Sequence, residues 1–241
     1  MASDEAQGPF PSTLVSALHG ALSDDSELRR LSWERLARAY YKPVYTYLRL
    51  RWRKPEEEAS DIAQSFFARC LEKDTLASYS RDKGRFRSFL RTCLDNYVVD
   101  QRRRDTAVVR GGRLPFAVDV GTAEAEIARH AGGDVDAEAC FDSEWVRQVL
   151  ALAVDALRAH CRDKDKLEHL RVFERYHLES EEPPSYAALA EELSISVTDV
   201  TNRLSYARRK FRGFVLDVLK DITASDDEFR SEARKVLGVA L

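Results

Sequence analysis

Arg203, Arg208, Arg209, Lys210 and Arg212 place five cations between positions 203 and 212, a stretch that holds no acid. Guanidinium and ammonium groups at that density suit phosphate. Interleaved with them, Thr198, Thr201, Asn202, Ser205 and Tyr206 supply hydroxyl and amide groups of the kind that reach base edges and phosphates. Val200, Leu204, Ala207 and Phe211 recur four, seven and eleven residues apart, so they share one helix face and leave the polar set on the opposite one. A helix of this kind needs a defined start and a platform. Ser196 and Asp199 form the S-x-x-D pattern of a capping box. Upstream, Tyr186, Leu189, Ala190 and Leu193 make the apolar stripe of a shorter helix, and Ser194-Ile195-Ser196 breaks between the two. The pattern predicts a helix-turn-helix whose second helix fits the major groove of DNA. A solvated basic face on an ordinary helical hairpin has the same periodicity and stays open at this point.

A second group of residues precedes it. The loop from Tyr79 to Phe86 interleaves cations with aromatics around Gly84, a combination that suits unstacked bases and phosphates of a single strand. It leads into a predicted helix from about Arg85 to Arg104. Phe86, Phe89, Leu90, Cys93 and Tyr97 face inward there, while Arg87, Arg91, Asn96, Asp100, Arg103 and Arg104 lie on or near the other side. The plainer reading is a solvated loop whose aromatics belong to the core. It is the better one for Phe86 and Phe89, whereas Tyr79 is more open. Between Pro55 and Lys73 another helical pattern buries Ile62, Phe66 and Cys70, widened by Ala63, Phe67 and Leu71. Asp61, Gln64, Ser65, Ala68 and Glu72 share a separate face, which is either wet or a dock for another protein's helix.

The elements that must hold these groups are helical throughout. The chain has 241 residues, 44% hydrophobic and 33% charged, with only 10 Gly and 7 Pro. A long pattern from about Ser26 to Arg53 buries Leu28, Leu31, Leu36, Tyr40, Val44, Tyr47 and Leu48, with Pro43 expected to kink or interrupt it. Residues 105–141 differ, being punctuated by Gly111-Gly112, Gly121 and Gly132-Gly133 and rich in Ala, Asp and Glu, with at most a short helix around Ala123–Arg129. Periodicity resumes near Asp142 with Trp145, Val149, Leu152 and Ala156 and continues through Leu167–Leu178. The expectation is an all-α fold of two small helical domains joined by an acidic flexible linker. The boundaries are 1–25 for a tail with a short helix, 26–104, a linker at 105–141, 142–220, and a C-terminal extension at 221–241.

Net charge is −3, but it is segregated. Residues 81–113 carry ten Arg or Lys against four acids, and 114–144 one Arg against eight acids, so the near-neutral total does not exclude nucleic acid. Cys70, Cys93, Cys140 and Cys161 have no metal-binding spacing, and the five histidines have no partners at ligand spacing. No clustered carboxylates form a catalytic set, so neither catalytic residues, a metal nor a cofactor is expected. The acidic N-terminus does not resemble a signal peptide and no run is long enough to span a membrane. A reduced, cytoplasmic protein with no membrane partner is the expectation.

These segments together resemble a bacterial RNA polymerase sigma factor of the extracytoplasmic-function type. Asp61-x-x-Gln64 with Phe66-Phe67 looks like the family's region 2.2, which docks on the clamp helices of the polymerase's largest subunit. Asn96-x-x-x-Asp100-x-x-Arg103-Arg104 looks like the end of region 2.4, which faces the promoter's minus-ten element. Tyr186-x-x-Leu189-Ala190-x-x-Leu193, Ile195-Ser196-Val197 and Val200-x-x-Arg203-Leu204-x-x-Ala207-Arg208 look like region 4.2, which reads the minus-thirty-five element. The resemblance covers about residues 26–104 and 142–220. It implies core RNA polymerase and promoter DNA as partners and leaves room for an anti-sigma factor. Asp61, Gln64, Ser65 and Ala68 would meet polymerase. Tyr79, Arg85, Arg87, Asn96, Asp100, Arg103 and Arg104 would serve the minus-ten element, with unstacked bases held in a pocket near Ser78–Arg87. Thr198, Thr201, Asn202, Arg203, Ser205, Tyr206, Arg208 and Arg209 would serve the minus-thirty-five element. The acidic linker would thread the polymerase's positively lined cleft or act as a passive tether.

Two departures stand out. Ser194 replaces the family's usual Gly, so the turn needs a slightly strained or rearranged backbone, and Asp95 stands where a basic residue often precedes the Asn. The C-terminal extension is either a regulatory helix or a packed cap, the latter preferred. A stand-alone duplex-binding regulator is the alternative function; it predicts a dimer surface and a palindromic site, and no dimer seam is evident. An enzyme would need the catalytic constellation that the sequence lacks.

Overall fold

The computed structural model describes residues 17–72, 75–79, 85–104, 120–129, 135–179 and 181–238. They form α-helices and one 3₁₀ turn, Thr75–Ser78, with no strand among the described residues. The fold is all-α, as the periodicity predicts.

After α1 (Ala17–Gly20) comes α2 (Ser26–Arg51), the central rod. Its start is fixed by Asp25, whose carboxylate accepts from the Glu27 and Leu28 amides at 2.9 and 3.2 Å. Leu36, Tyr40, Val44, Tyr47 and Leu48 are buried as the stripe requires, but so are Tyr41, Tyr45 and Thr46. Leu31 lies 40% exposed instead. Pro43 is buried and does not interrupt the helix. Its missing donor is a local loss, offset by burial on nearly every side of α2.

That cover comes from several directions. α3 (Glu56–Glu72) and α4 (Phe86–Arg104) pack through Phe66, Phe67, Leu90, Leu94 and Tyr97. α6 (Ala137–Asp163) contributes Phe141 and Trp145, whose rings lie 6.1 Å from Tyr47 and 6.5 Å from Tyr40. Helix α6 begins before the expected Asp142, because Asp136 caps it and Ala137 and Phe141 are already buried. Within the acidic segment α5 (Gly121–Arg129) is docked on α2. Its Glu124 accepts from Arg49 Nε at 2.6 Å and Nη2 at 2.9 Å and from the Tyr45 hydroxyl. The Arg49 guanidinium holds Glu124 below the usual carboxylate range.

The remaining helices are α7 (Leu167–His177), α8 (Tyr186–Glu192), α9 (Val197–Ile222) and α10 (Asp226–Leu237). The far half of α9 (Val215, Leu219, Ile222) and Ala233 of α10 join the same core as α2, α3, α4 and α6. Smaller clusters lie under the helix-turn-helix. One holds Leu157, Cys161, Leu170, Phe173 and Ala207, another Val172, Leu189, Ala190, Val200 and Leu204. All four cysteines are free thiols, and burial pushes Cys70 up to about 12. No described helix is long and apolar enough to cross a membrane.

Candidate nucleic-acid interface

The turn before α9 follows from hydrogen-bond accounting at two helix ends. At the close of α8 the Ile195 amide donates to Ala190 C=O at 3.0 Å and the Ser194 amide to Glu191 C=O at 3.2 Å. These are the two bonds of a Schellman ending, which needs a left-handed residue between them. Ser194 takes that role with φ +53°, so the strain expected from a non-glycine there is present. Two residues later Ser196 Oγ accepts from the Asp199 amide at 3.0 Å, and Asp199 returns the bond to the Ser196 amide at 3.2 Å. The capping box is complete. The Ser196 hydroxyl, which also donates to the Asp199 carboxylate at 2.6 Å, and then the Ser196 amide hold that carboxyl below its usual range.

Val200, Leu204 and Ala207 are fully buried, with Phe211 partly so. The predicted reading face is therefore turned outward. Thr198, Thr201, Asn202, Ser205 and Arg209 are exposed, although the Thr201 hydroxyl donates to its own helix at Val197 C=O, 2.9 Å. Three other predicted residues are engaged. Arg203 lies 2.7 Å from Glu168 of α7, an exposed partner that solvent and phosphate can displace. The Tyr206 hydroxyl meets His160 Nε2 at 2.9 Å. Arg208 is a brace: Nε donates to His177 Nε2 at 3.0 Å, Nη1 donates to the Tyr186 hydroxyl at 3.1 Å, and the guanidinium lies over Tyr176. From α9 it ties α7 to α8. Burial, with Arg208 beside it, pushes His177 below its ordinary value of 6.5, consistent with a neutral ring accepting this bond.

On α3, Ile62, Ala63, Phe66, Phe67 and Cys70 face the core, and Asp61 is exposed beside half-buried Gln64, Ser65 and Ala68. Helix α3 is packed by α2, α4 and the 3₁₀ turn.

Helix α4 departs from the expectation at its start. Phe86, Leu90, Leu94, Tyr97 and Val98 are buried, and Asn96 and Arg103 are exposed with Asp100 half-buried. Arg87, expected on the wet side, is 3% exposed. Its guanidinium lies 3.1 Å from Glu232 and 3.4 Å from Asp142, over the Trp145 ring. The physical reason is that α6 and α10 both pack against the first turn of α4, so a position facing outward on the isolated helix faces inward in the fold. Arg85 keeps an exposed side chain but reaches Glu232 at 3.4 Å. Tyr79 packs edge-on against Phe86 and lies 5.1 Å from Phe89, so these aromatics form one cluster. Residues 80–84 and the Arg104 side chain lie outside the described residues.

Residues 36–108 match the family model of Sigma-70 region 2. The match is to one region of sigma-70 factors and covers less than a third of the chain. It spans most of α2 and all of α3 and α4. No curated protein and no solved structure matches the chain.

Within region 2 the odd Asp95 has a structural partner set. It accepts from Trp52 Nε1 at 2.8 Å and from the Tyr47 hydroxyl at 3.2 Å, tying α4 to the end of α2. A base in that place would lose both bonds. Sequence reasoning missed Glu228 and Glu232. Their i, i+4 spacing on an amphipathic helix was visible, but nothing local linked them to Arg85 and Arg87.

Proposed function

We propose that this protein is a sigma factor of the extracytoplasmic-function type, which binds core RNA polymerase and directs it to a two-part promoter. The supporting observation is one chain that combines a region 2 match over residues 36–108 with a capped helix-turn-helix whose reading face is solvent-exposed. Polymerase would dock on the α3 strip of Asp61, Gln64, Ser65 and Ala68. Asn96, Asp100, Arg103 and Arg104, with Tyr79 and Arg85, would serve the minus-ten element. Thr198, Thr201, Asn202, Arg203, Ser205 and Arg209 would serve the minus-thirty-five element, with Tyr206 and Arg208 shaping the platform. Residues 26–104 and 142–220 would be the two working units, with 105–141 between them and 221–241 as an extension. Its setting would be the cytoplasm, where polymerase works, and an anti-sigma factor is a partner the reading accommodates.

Run-off transcription with bacterial core polymerase and a promoter-fragment library tests this. Initiation that depends on the protein and selects a two-part promoter is expected. Duplex binding to a palindrome without redirected polymerase would replace this reading with a stand-alone regulator. Asp61→Ala and Gln64→Ala should weaken polymerase binding with the fold intact, and unchanged affinity would reject the α3 strip.

A further inference from the structure

The C-terminal helix sits on region 2 as a docked anion. Glu228 Oε1 accepts from the Phe86 amide at 2.9 Å, and Oε2 accepts from the Ala224 amide at 2.8 Å. Phe86 opens α4, so its amide is one of the orphan donors at a helix start, where phosphates and carboxylates bind. One turn along α10, Glu232 lies between Arg85 (3.4 Å) and Arg87 (3.1 Å) and is 2% exposed. Ser231 adds a contact to Arg85 at 3.4 Å, and Lys235 reaches Asp142 of α6 at 3.3 Å. The helix itself is well made, with Ser225 capping its start and Gly238 at φ +67° ending it. Ala233 is fully buried, so α10 is seated in the core surface as well as held by charge.

Two features argue against a mere cap. Beside that apolar seat, α10 places two carboxylates on a helix start and two guanidiniums, the groups that a nucleic-acid backbone would take. The buried pair is also poorly satisfied: both Arg87 Nη atoms and both Glu232 carboxylate oxygens lack a hydrogen bond despite burial. A desolvated pair of that kind contributes little to stability against an apolar substitute. It is also readily traded for partners that satisfy the groups.

We propose that α10 is a built-in competitor of single-stranded nucleic acid. With Glu228 and Glu232 it occupies the amide of Phe86 and the guanidiniums of Arg85 and Arg87, so DNA gains this surface only when α10 leaves. This rests on the reading of Arg85 as part of the minus-ten surface, which Arg87 joins only once α10 has left. The full-length chain with Glu228→Gln and Glu232→Gln together keeps near-isosteric side chains and removes both charges.

The test measures binding of a short fluorescein-labelled single-stranded DNA by anisotropy, with hydrogen exchange of residues 226–237 followed in parallel. If α10 is docked in about nine molecules of ten, the double variant binds about tenfold more tightly than the wild type. Because coupling between two ligands of one surface is reciprocal, saturating DNA must also accelerate exchange of 226–237 in the wild type. That second measurement needs no substitution and stands even if the variant folds poorly. Wild-type DNA binding with no change in exchange of 226–237 overturns the competition, as does equal affinity in a variant whose α10 exchanges freely. If neither chain binds the oligonucleotide, the minus-ten reading of Arg85 falls and the competition with it.

Discussion

The two surfaces assigned to DNA are kept in opposite ways. On α9 the reading face stands in solvent, and its orientation is set by neighbours within its own unit: the Ser196–Asp199 box, the Schellman turn and the small cluster under Leu204. At the start of α4 Arg87 is buried and Arg85, though exposed, is engaged, and the helix that holds both is about 140 residues away in sequence. A surface built from local rules can be exposed without loss of order. A surface that shares the core of the whole chain is available only on terms set by distant segments.

Arg87→Ala should break that contrast most visibly. If Arg87 served DNA alone, its loss would leave stability unchanged. Buried beside Glu232, its removal strands a carboxylate and should cost about 4 kcal/mol in urea unfolding. Leu204→Ala comes next: the side chain is fully buried under the helix-turn-helix, and the loss should be about 3 kcal/mol. Hydrogen exchange should place that loss in 186–211 and leave α3 and α4 protected; equal loosening of both regions would deny the helix-turn-helix a separate stability. A smaller change, Ser194→Gly, should raise stability by about 1 kcal/mol, because glycine relieves the left-handed backbone. A lower melting temperature would contradict the strain.

The mildest effect is a pH dependence confined to the helix-turn-helix. The folded-state value of His177 is depressed, so below its unfolded value of 6.5 the unfolded chain binds the proton more readily. Its contribution is full above that value and is lost as pH falls through the folded value, when Nε2 can no longer accept from Arg208. Stability against unfolding, followed by probes in 186–211, should therefore fall on acidification, and His177→Gln should flatten the slope. His169, depressed by burial next to Tyr206, contributes in the same direction and leaves a residual slope. An unaltered slope in the variant would remove His177 as the cause.

What the sequence revealed divides along the same line. The extent of α3, α7 and α8, the capping box, the buried set on α9 and the strain at Ser194 were legible because each depends on residues a few positions apart. The start of α6 was missed because Gly132-Gly133 dominated the local reading, while Asp136 and Phe141 acquire meaning only against α2. Arg87 looked like a wet residue because its partners lie on α6 and α10, and Arg208 looked like a DNA contact because Tyr186 and His177 approach it only in three dimensions. The docking of α5 through Glu124 belongs to the same class: acidic composition signals a tether, whereas one carboxylate facing Arg49 makes an anchor.

The three residues between Leu193 and Val197 do both jobs at once, closing one helix and opening the next. No slack remains in that joint. One added residue would advance the second helix by about 100° around its axis and swing Thr201 and Asn202 away from the side they now occupy. Over evolutionary time the exposed side chains of α9 are therefore free to vary, and with them whatever sequence they read. The length of the joint is not, and a relative with an insertion there should have abandoned this face altogether.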